Sequence, residues 1–227
     1  MDKTIIDMMS KIAVEHNGLF IPGRLVEDLF SKYCTALGYW TDNDEWPVVI
    51  PGSATLIKYR GRYMMACTRH QLSLLEDPEG ICIILPENGK SRCITSGGSI
   101  SFINEMNDGD HNEIALFDFT EPAMAEPDLR PNFLDFRGQH PSFPADHVVG
   151  VITYGYPFEG REIDYEGGKL GLVKRKVVCK YEGQGSDDAV HIIKPVVPLT
   201  FSPDGISGGP AFAIIMNESG FSIHLVF

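Results

Sequence analysis

The chain has 227 residues, of which 43% are hydrophobic and 22% are charged, and these proportions predict a globular protein with a sizeable core. The formal net charge is −12 at pH 7, and the short basic cluster at residues 174–176 does not offset it. This charge excludes a protein that binds phosphate backbones, so we expect no nucleic-acid partner. No apolar stretch reaches the ~20 residues that a membrane-spanning helix needs, so we expect no membrane partner either.

The cysteines indicate the compartment. An odd number of scattered cysteines without a Cys-x-x-Cys pair is typical of reduced thiols rather than of a disulfide framework or a zinc site. Residues 1–10 contain two aspartates and lack the basic start of a secretory signal. We therefore predict a cytoplasmic protein with no metal and no other cofactor. The five positions are Cys34, Cys67, Cys82, Cys93 and Cys179.

The first 45 residues have helical periodicity. Apolar residues recur at helical spacing over residues 3–16 and again over residues 23–37, with Asn17-Gly18 between the two segments. We therefore predict a short N-terminal helical extension over residues 1–45. A regulatory protein partner would bind through these helices.

After residue 45 the pattern changes to short runs rich in Val, Ile, Tyr and Phe, separated by Gly, Asn and Asp. Many short strands with turn residues between them predict an all-β sandwich or barrel. Residues 59–62 and 217–220 have the composition of hairpin turns. A proline-rich connector at residues 120–147 divides the β-region, so we predict domains at 46–130 and 131–227. The predicted strands are 53–59, 62–68, 80–85, 92–95, 100–103, 113–119, 148–154, 169–178, 189–194, 211–216 and 221–227.

A glycine-rich turn near the C-terminus, Gly205-Ile206-Ser207-Gly208-Gly209-Pro210, precedes one of these strands. Glycines on both sides of a serine permit a sharp turn that exposes the hydroxyl and directs several backbone N–H groups into one space. An acyl-transfer site needs both of these features. Ser207 is therefore the candidate nucleophile.

A serine nucleophile needs a base, most often a histidine, and an acid that orients the base. Of the seven histidines, His70 directly follows a predicted strand, whose end can project a side chain into a cleft; His191 is a weaker candidate for a pocket residue. Glu113 begins another predicted strand and is the candidate acid. Asp110 and Asp118 lie close to it in sequence and compete for this role.

Three segments together resemble the trypsin-like (chymotrypsin-fold) serine peptidases. Residues 52–55 and 66–70 resemble the first hairpin and the strand that ends at the histidine, Glu113-Ile114-Ala115-Leu116 resembles the acid-bearing strand, and the Ser207 turn resembles the nucleophile loop. Tyr154-Gly155-Tyr156-Pro157 is similar to a turn in intracellular bacterial members. The resemblance spans residues 47–216 and implies two antiparallel Greek-key β-barrels.

The resemblance also implies roles for individual residues. Ser207 would attack the peptide bond, His70 would act as base and then as acid, and Glu113 would orient the histidine. The N–H groups of Gly205 and Ser207 would form the oxyanion hole, and Phe201 would lie at the base of the substrate pocket. The expected function is that of a serine endopeptidase acting on polypeptide substrates through an acyl-enzyme.

Four departures from the family keep an alternative open. The acid is Glu113 rather than aspartate, Gln71 replaces the cysteine after the histidine, and Ile206 replaces the acidic residue used in zymogen activation. The sequence also stops one hairpin after Ser207, so either the second barrel is minimal and incomplete or the chain is a fragment. The alternative is a trypsin-like module that has little or no activity and binds peptides or docks in a larger assembly. In a further alternative, the N-terminal helices keep the peptidase latent until a partner binds.

Overall fold

The computed structural model describes residues 13–41, 43–73, 75, 80–87, 90–100, 113–137, 145–185, 190–218 and 220–226. Strands make up 55% of the structure and helical residues 16%, so the protein is all-β, as the sequence predicts at this coarse level. In these ranges, no helix is long and apolar enough to cross a membrane.

The first sheet contains most strands of the N-terminal half. These strands are β3 (Cys34–Trp40), β4 (Val48–Tyr59), β5 (Arg62–Thr68), β6 (Ile81–Glu87), β7 (Lys90–Thr95), β8 (Gly98–Ile100), β9 (Ile114–Asp118) and β10 (Leu134–Asp135). Their order in the sheet is β7-β6-β3-β4-β5-β9-β8, and β10 pairs with β4 in parallel.

The second sheet contains strands from both ends of the chain. These strands are β1 (Ala13–His16), β2 (Leu19–Pro22), β11 (Val148–Gly155), β14 (Arg175–Gln184), β15 (His191–Pro195), β16 (Ala211–Asn217) and β17 (Gly220–Val226). Their order in the sheet is β15-β14-β11-β16-β17-β1-β2. A separate two-stranded sheet pairs β12 (Glu162–Asp164) with β13 (Lys169–Gly171). The α-helices are α1 (Gly23–Ser31) and α2 (Thr120–Ala125), and single 3₁₀ turns cover Arg69–Leu72, Pro127–Asn132 and Ala145–His147.

The helical prediction for the N-terminal segment is wrong in two places. Residues 13–16 form strand β1 instead of the end of a helix, while residues 1–12 lie outside the described ranges. The predicted helix at 23–37 ends at Ser31, and strand β3 begins at Cys34. The first five residues of β3 are all buried, because β4 and β6 flank it, and a continuous apolar run has no periodicity that separates a strand from a helix.

Both predicted hairpin turns are confirmed. Arg60 and Gly61 have φ values of 49° and 83°, which is the left-handed pair that a tight two-residue hairpin requires. Asn217 pairs with Gly220 across the second turn. Two other predictions need correction: the run at 169–178 is split between β13 and β14, and the 120–147 connector contains α2, two 3₁₀ segments and β10.

The edge of β17 is covered by the chain itself. Strand β1 pairs with β17 in parallel, with Val14 opposite Phe221, and β2 extends the sheet further. Pairing removes the row of unpaired backbone groups that an exposed edge strand presents. Within the ranges that the structure describes, neither large sheet pairs its first strand with its last.

The two sheets share a core. One buried cluster combines Ile57 and Met64 of the first sheet with Ile152 and Phe212 of the second, and α1 inserts Phe30, which is fully buried, into the same cluster. Side chains of this size each contribute roughly 1.5–3 kcal/mol on full burial. The sheets therefore pack directly on each other, and the loop that precedes β16 lies against both.

Candidate active site

Antiparallel pairing of β5 with β9 brings His70 and Glu113 together. Thr68 lies opposite Ile114 in this register, so the residues just beyond the paired ends are neighbours. His70 Nδ1 contacts Glu113 Oε1, and the same oxygen accepts a 3.4 Å hydrogen bond from the His70 backbone N–H. Because an ionised carboxylate only accepts hydrogen bonds, Nδ1 carries the proton and Nε2 of a neutral ring keeps its lone pair.

Asp118, the competing carboxylate that the structure describes, does not lie beside His70. Asp118 lies at the opposite end of β9, where it pairs with Arg62 and accepts the backbone N–H of Thr120. Burial alone would raise the pKa of Asp118, but these hydrogen bonds outweigh it and lower that pKa. Asp110 lies outside the described residues.

The environment of His70 Nε2 decides whether this atom can act as a base. Nε2 lies 3.4 Å from the hydroxyl oxygen of Thr68. That hydroxyl has a single proton, which it donates to Gln71 Oε1 over the shorter distance of 2.8 Å. The Nε2 lone pair is therefore not committed to Thr68, and the His70 side chain is 58% exposed.

The Ser207 turn presents its carbonyl oxygens to the first sheet. The Gly205 oxygen accepts from Ser53 Oγ at 2.7 Å, and the Gly208 oxygen accepts from Thr55 Oγ1 at 2.9 Å. The Ser207 oxygen accepts from the Ser53 backbone N–H at 3.2 Å. With the carbonyls held in this way, the N–H groups of Gly205 and Ser207 donate to no acceptor among the described residues. They are available to a negatively charged oxygen.

Gln71 connects the histidine turn to the serine turn. Its buried amide donates to the Ser207 carbonyl at 2.7 Å and to the Ser53 carbonyl at 3.4 Å. Its Oε1 atom accepts from the Thr68 backbone N–H at 3.1 Å as well as from the Thr68 hydroxyl. The residue after His70 thus fixes the position of the Ser207 backbone relative to the base, without a covalent link.

Two glycines of the turn are required by close packing. A Cβ atom on Gly209 would lie 2.0 Å from the Tyr154 carbonyl oxygen, and one on Gly208 would lie 2.4 Å from the Ser53 carbonyl oxygen. Gly205 and Gly208 also have φ values of 92° and 80°, which side chains rarely adopt. The turn therefore fits between the two sheets only because it lacks side chains there.

His70, Gly205 and Ser207 line one open cleft of about 1360 Å³. The structure contains no hydrogen bond between Ser207 and His70, although both are exposed to this cleft. In this conformation His70 contacts the Glu113 carboxylate but not Ser207. Apolar side chains form much of the cleft wall, including Tyr39, Val49, Ile50, Leu75 and Phe158.

Phe201 does not lie at the base of this cleft. It packs on the buried cluster of the second sheet, and the Arg175 guanidinium lies 5.5 Å from its ring centroid. His191 is also elsewhere, on strand β15, where it contacts Tyr181. The sequence reasoning did not identify Phe158 and Arg161, and no local pattern marks them, because their positions depend on packing between distant segments.

Comparison with known proteins gave no relative from which a role could be transferred. No protein-family model matches the chain, and no curated protein matches it either.

Proposed function

We propose that the protein is a serine endopeptidase of the trypsin-like type, in which Ser207, His70 and Glu113 form the catalytic triad. The observation that carries this proposal is the contact between His70 Nδ1 and the Glu113 carboxylate, at a cleft that also exposes Ser207. The N–H groups of Gly205 and Ser207, which have no acceptor in the part of the chain that the structure describes, would add the second element that acyl transfer requires.

In the proposed reaction, His70 Nε2 takes the proton of Ser207 Oγ while that oxygen attacks the carbonyl carbon of a peptide bond. The developing oxyanion accepts hydrogen bonds from the N–H groups of Gly205 and Ser207, each worth on the order of 3 kcal/mol in a working site. His70 then gives its proton to the leaving amine, which breaks the C–N bond and leaves an acyl-enzyme. A water molecule, deprotonated by His70, releases the acid and restores the serine.

The arrangement as two β-barrels is part of the same proposal. We infer that each large sheet corresponds to one Greek-key barrel, with the Ser207 turn between them, because the turn contacts β4 of the first sheet and β11 of the second. All five cysteines are free in the structure, and a cytoplasmic location stays a prediction. A regulatory partner that binds at the N-terminal segment remains a prediction.

A fluorophosphonate probe tests the activity directly, because it reacts covalently with an activated serine. We expect the wild-type protein to be labelled, and Ser207→Ala and His70→Ala to lose labelling while keeping their thermal unfolding transitions. Ser202→Ala is a matched control, since Ser202 is exposed and only five residues away but does not line the cleft. Labelling of Ser207→Ala, or no labelling of folded wild-type protein, would contradict the proposal.

The second candidate function is a peptide-binding module without turnover. One observation favours it: Ser207 and His70 share no hydrogen bond, and His70 Nε2 faces Thr68 instead. In that case, folded wild-type protein would bind peptides at the cleft but would not react with the probe.

A further inference from the structure

Phe158 is an exposed aromatic residue at the rim of the cleft that holds Ser207. Half of its surface is exposed, and of the exposed large apolar side chains in the described residues only Val49 and Phe158 line this cleft. Its backbone N–H donates to the Asp204 carbonyl at 2.8 Å, so the residue is tied to the serine turn.

The Phe158 ring is supported from behind by Arg161. The guanidinium lies 4.4 Å from the ring centroid, within the range of a cation–π contact. The same guanidinium donates to the backbone carbonyls of Pro157, Tyr156 and Ile50, so it is anchored to β4 and to the segment that follows β11. Across the described residues it has no carboxylate partner.

Arg161 also lies directly beneath the serine turn. A Cβ atom on Gly205 would be 2.9 Å from one guanidinium nitrogen and 3.0 Å from the Phe158 ring. The ring, the guanidinium and the oxyanion-hole residue Gly205 therefore form one packed unit. Because the ring is held before any ligand arrives, little conformational entropy is lost when a side chain packs on it.

The rest of the cleft lining also suits an apolar side chain of a ligand. Val49, Ile50 and Pro51 contribute apolar surface. Among the described residues that line the cleft, Asp204 is the only carboxylate, and no lysine or arginine is present to pair with an acidic side chain of a ligand. Asp204 already accepts a 3.0 Å hydrogen bond from Ser202 Oγ.

We propose that Phe158, held in place by Arg161, is the surface on which the protein binds a large apolar or aromatic side chain of its polypeptide substrate, next to the scissile bond. Phe158 takes the specificity role that the sequence assigned to Phe201. This inference rests on the proposed peptidase function for its kinetic consequences, but the binding itself does not require turnover.

The binding arm uses Ser207→Ala, which cannot turn over substrate. Fluorescent octapeptides of Gly and Ala would carry one central residue, either Phe, Leu, Lys, Glu or Ser, and their affinities would be compared by anisotropy. We expect the Phe and Leu peptides to bind about tenfold more tightly than the Ser peptide, in line with what one apolar contact contributes. Adding Phe158→Ala should reduce this ratio to near one, whereas adding Ile192→Ala, an equally exposed apolar residue outside the cleft, should not.

The kinetic arm uses protein with Ser207 intact. Cleavage of unfolded casein, mapped by mass spectrometry, should show large apolar residues enriched beside the cut bonds, and Phe158→Ala should abolish this enrichment. Preference for the Lys peptide, or an apolar preference that survives Phe158→Ala, would overturn the inference. Failure of the proposed peptidase function would give a different result. The probe would not label the wild-type protein, but the Ser207→Ala protein would still prefer the apolar peptides.

Discussion

Glu113 holds both the ring and the backbone of His70, since one carboxylate oxygen contacts Nδ1 and accepts the backbone N–H. The two side chains are 58% and 48% exposed. An ion pair at such an exposed position contributes at most about 1 kcal/mol to stability. Its main effect is therefore on the orientation and tautomer of the ring, and a longer carboxylate than aspartate serves this purpose as well.

We expect Glu113→Gln to reduce the rate at which Ser207 is acylated by about 10³-fold or more, because the amide no longer selects the Nδ1–H tautomer. The free energy of unfolding should change by less than about 1 kcal/mol. Probe-labelling rates and urea unfolding measure the two quantities.

Asp118→Asn is the matched control for this experiment. It should lower the stability, because the hydrogen bonds from Thr120 and Arg62 favour the charged carboxylate, and it should leave the labelling rate unchanged. Equal loss of labelling in both variants would show that Glu113 has no special role at His70.

At the scale of single elements, the serine turn is constrained by its neighbours on both sides. The Gly209 backbone packs on the carbonyl of Tyr154 in β11, while the Ser207 carbonyl accepts from Ser53 in β4. Displacing either contact moves Ser207. The residue types that this turn can accommodate are therefore limited by packing as well as by the backbone conformation of the turn.

We expect Gly209→Ala to lower the free energy of unfolding by about 2 kcal/mol or more, because the new Cβ meets a backbone oxygen that cannot move away. Gly97→Ala is the control: its Cβ would lie 3.6 Å from the nearest atom, the Asp118 carbonyl oxygen, so the change should stay within about 1 kcal/mol. Urea unfolding of both variants gives the comparison, and equal effects would refute the packing argument.

The hairpin of β1 and β2 contains a titratable contact with β17. His16 Nδ1 lies 3.2 Å from the Ile223 carbonyl oxygen, and its ring packs edge-on against Phe30. Burial lowers the pKa of His16 below its usual value, against the opposing effects of the Ile223 carbonyl, Glu15 and Asp135. Arg137 acts in the same direction as burial.

This lowered pKa makes the stability of the protein depend on pH. The folded state binds the proton more weakly than the unfolded state, so the contribution is complete above about pH 6.5 and is lost as the pH falls through the lowered pKa. We expect His16→Gln to flatten the unfolding free energy between pH 7.5 and 5, measured by urea denaturation. His147→Gln, on an exposed 3₁₀ turn, should retain the wild-type slope.

For the whole molecule, the N-terminal segment is part of the β-structure. Strands β1 and β2 extend the second sheet, and β3 lies within the first. Deleting residues 1–45 to test a regulatory role would therefore remove strands from both sheets. A point substitution separates the structural role of this segment from a regulatory role, because it removes no strand.

Val14→Ser should lower the melting temperature by several degrees, because Val14 is 1% exposed and belongs to the core that the two sheets share. Phe20→Ser, on the neighbouring strand, changes a residue that is 72% exposed and should leave the melting temperature nearly unchanged. Thermal unfolding followed by circular dichroism distinguishes them. A larger effect at Phe20 would mean that the hairpin does not dock on β17 in solution.

The sequence was informative where the relevant contacts follow from local rules. Strand ends marked His70 and Glu113 as candidates, the resemblance to the trypsin-like family predicted that they interact, and glycines marked the Ser207 turn. Phe158 and Arg161 could not be predicted, because their roles depend on a carbonyl of β4 and a carbonyl of the segment after β11 meeting at one guanidinium. The pairing of β1 with β17 has no local sequence pattern either, and Cys34–Trp40 lacks the alternation that would identify it as a strand.

The pairing of β1 with β17 also affects the order of events during synthesis. The His16–Ile223 contact joins residues 207 positions apart in the chain. At about 5–20 residues per second, the first hairpin would emerge from the ribosome roughly 10–40 s before its partner strand. For that interval Leu19 and Phe20, already exposed in the finished protein, would be accompanied by an uncovered Val14. Until β17 is made, the hairpin of β1 and β2 therefore exposes more apolar surface to aggregation and to chaperones than it does in the folded protein.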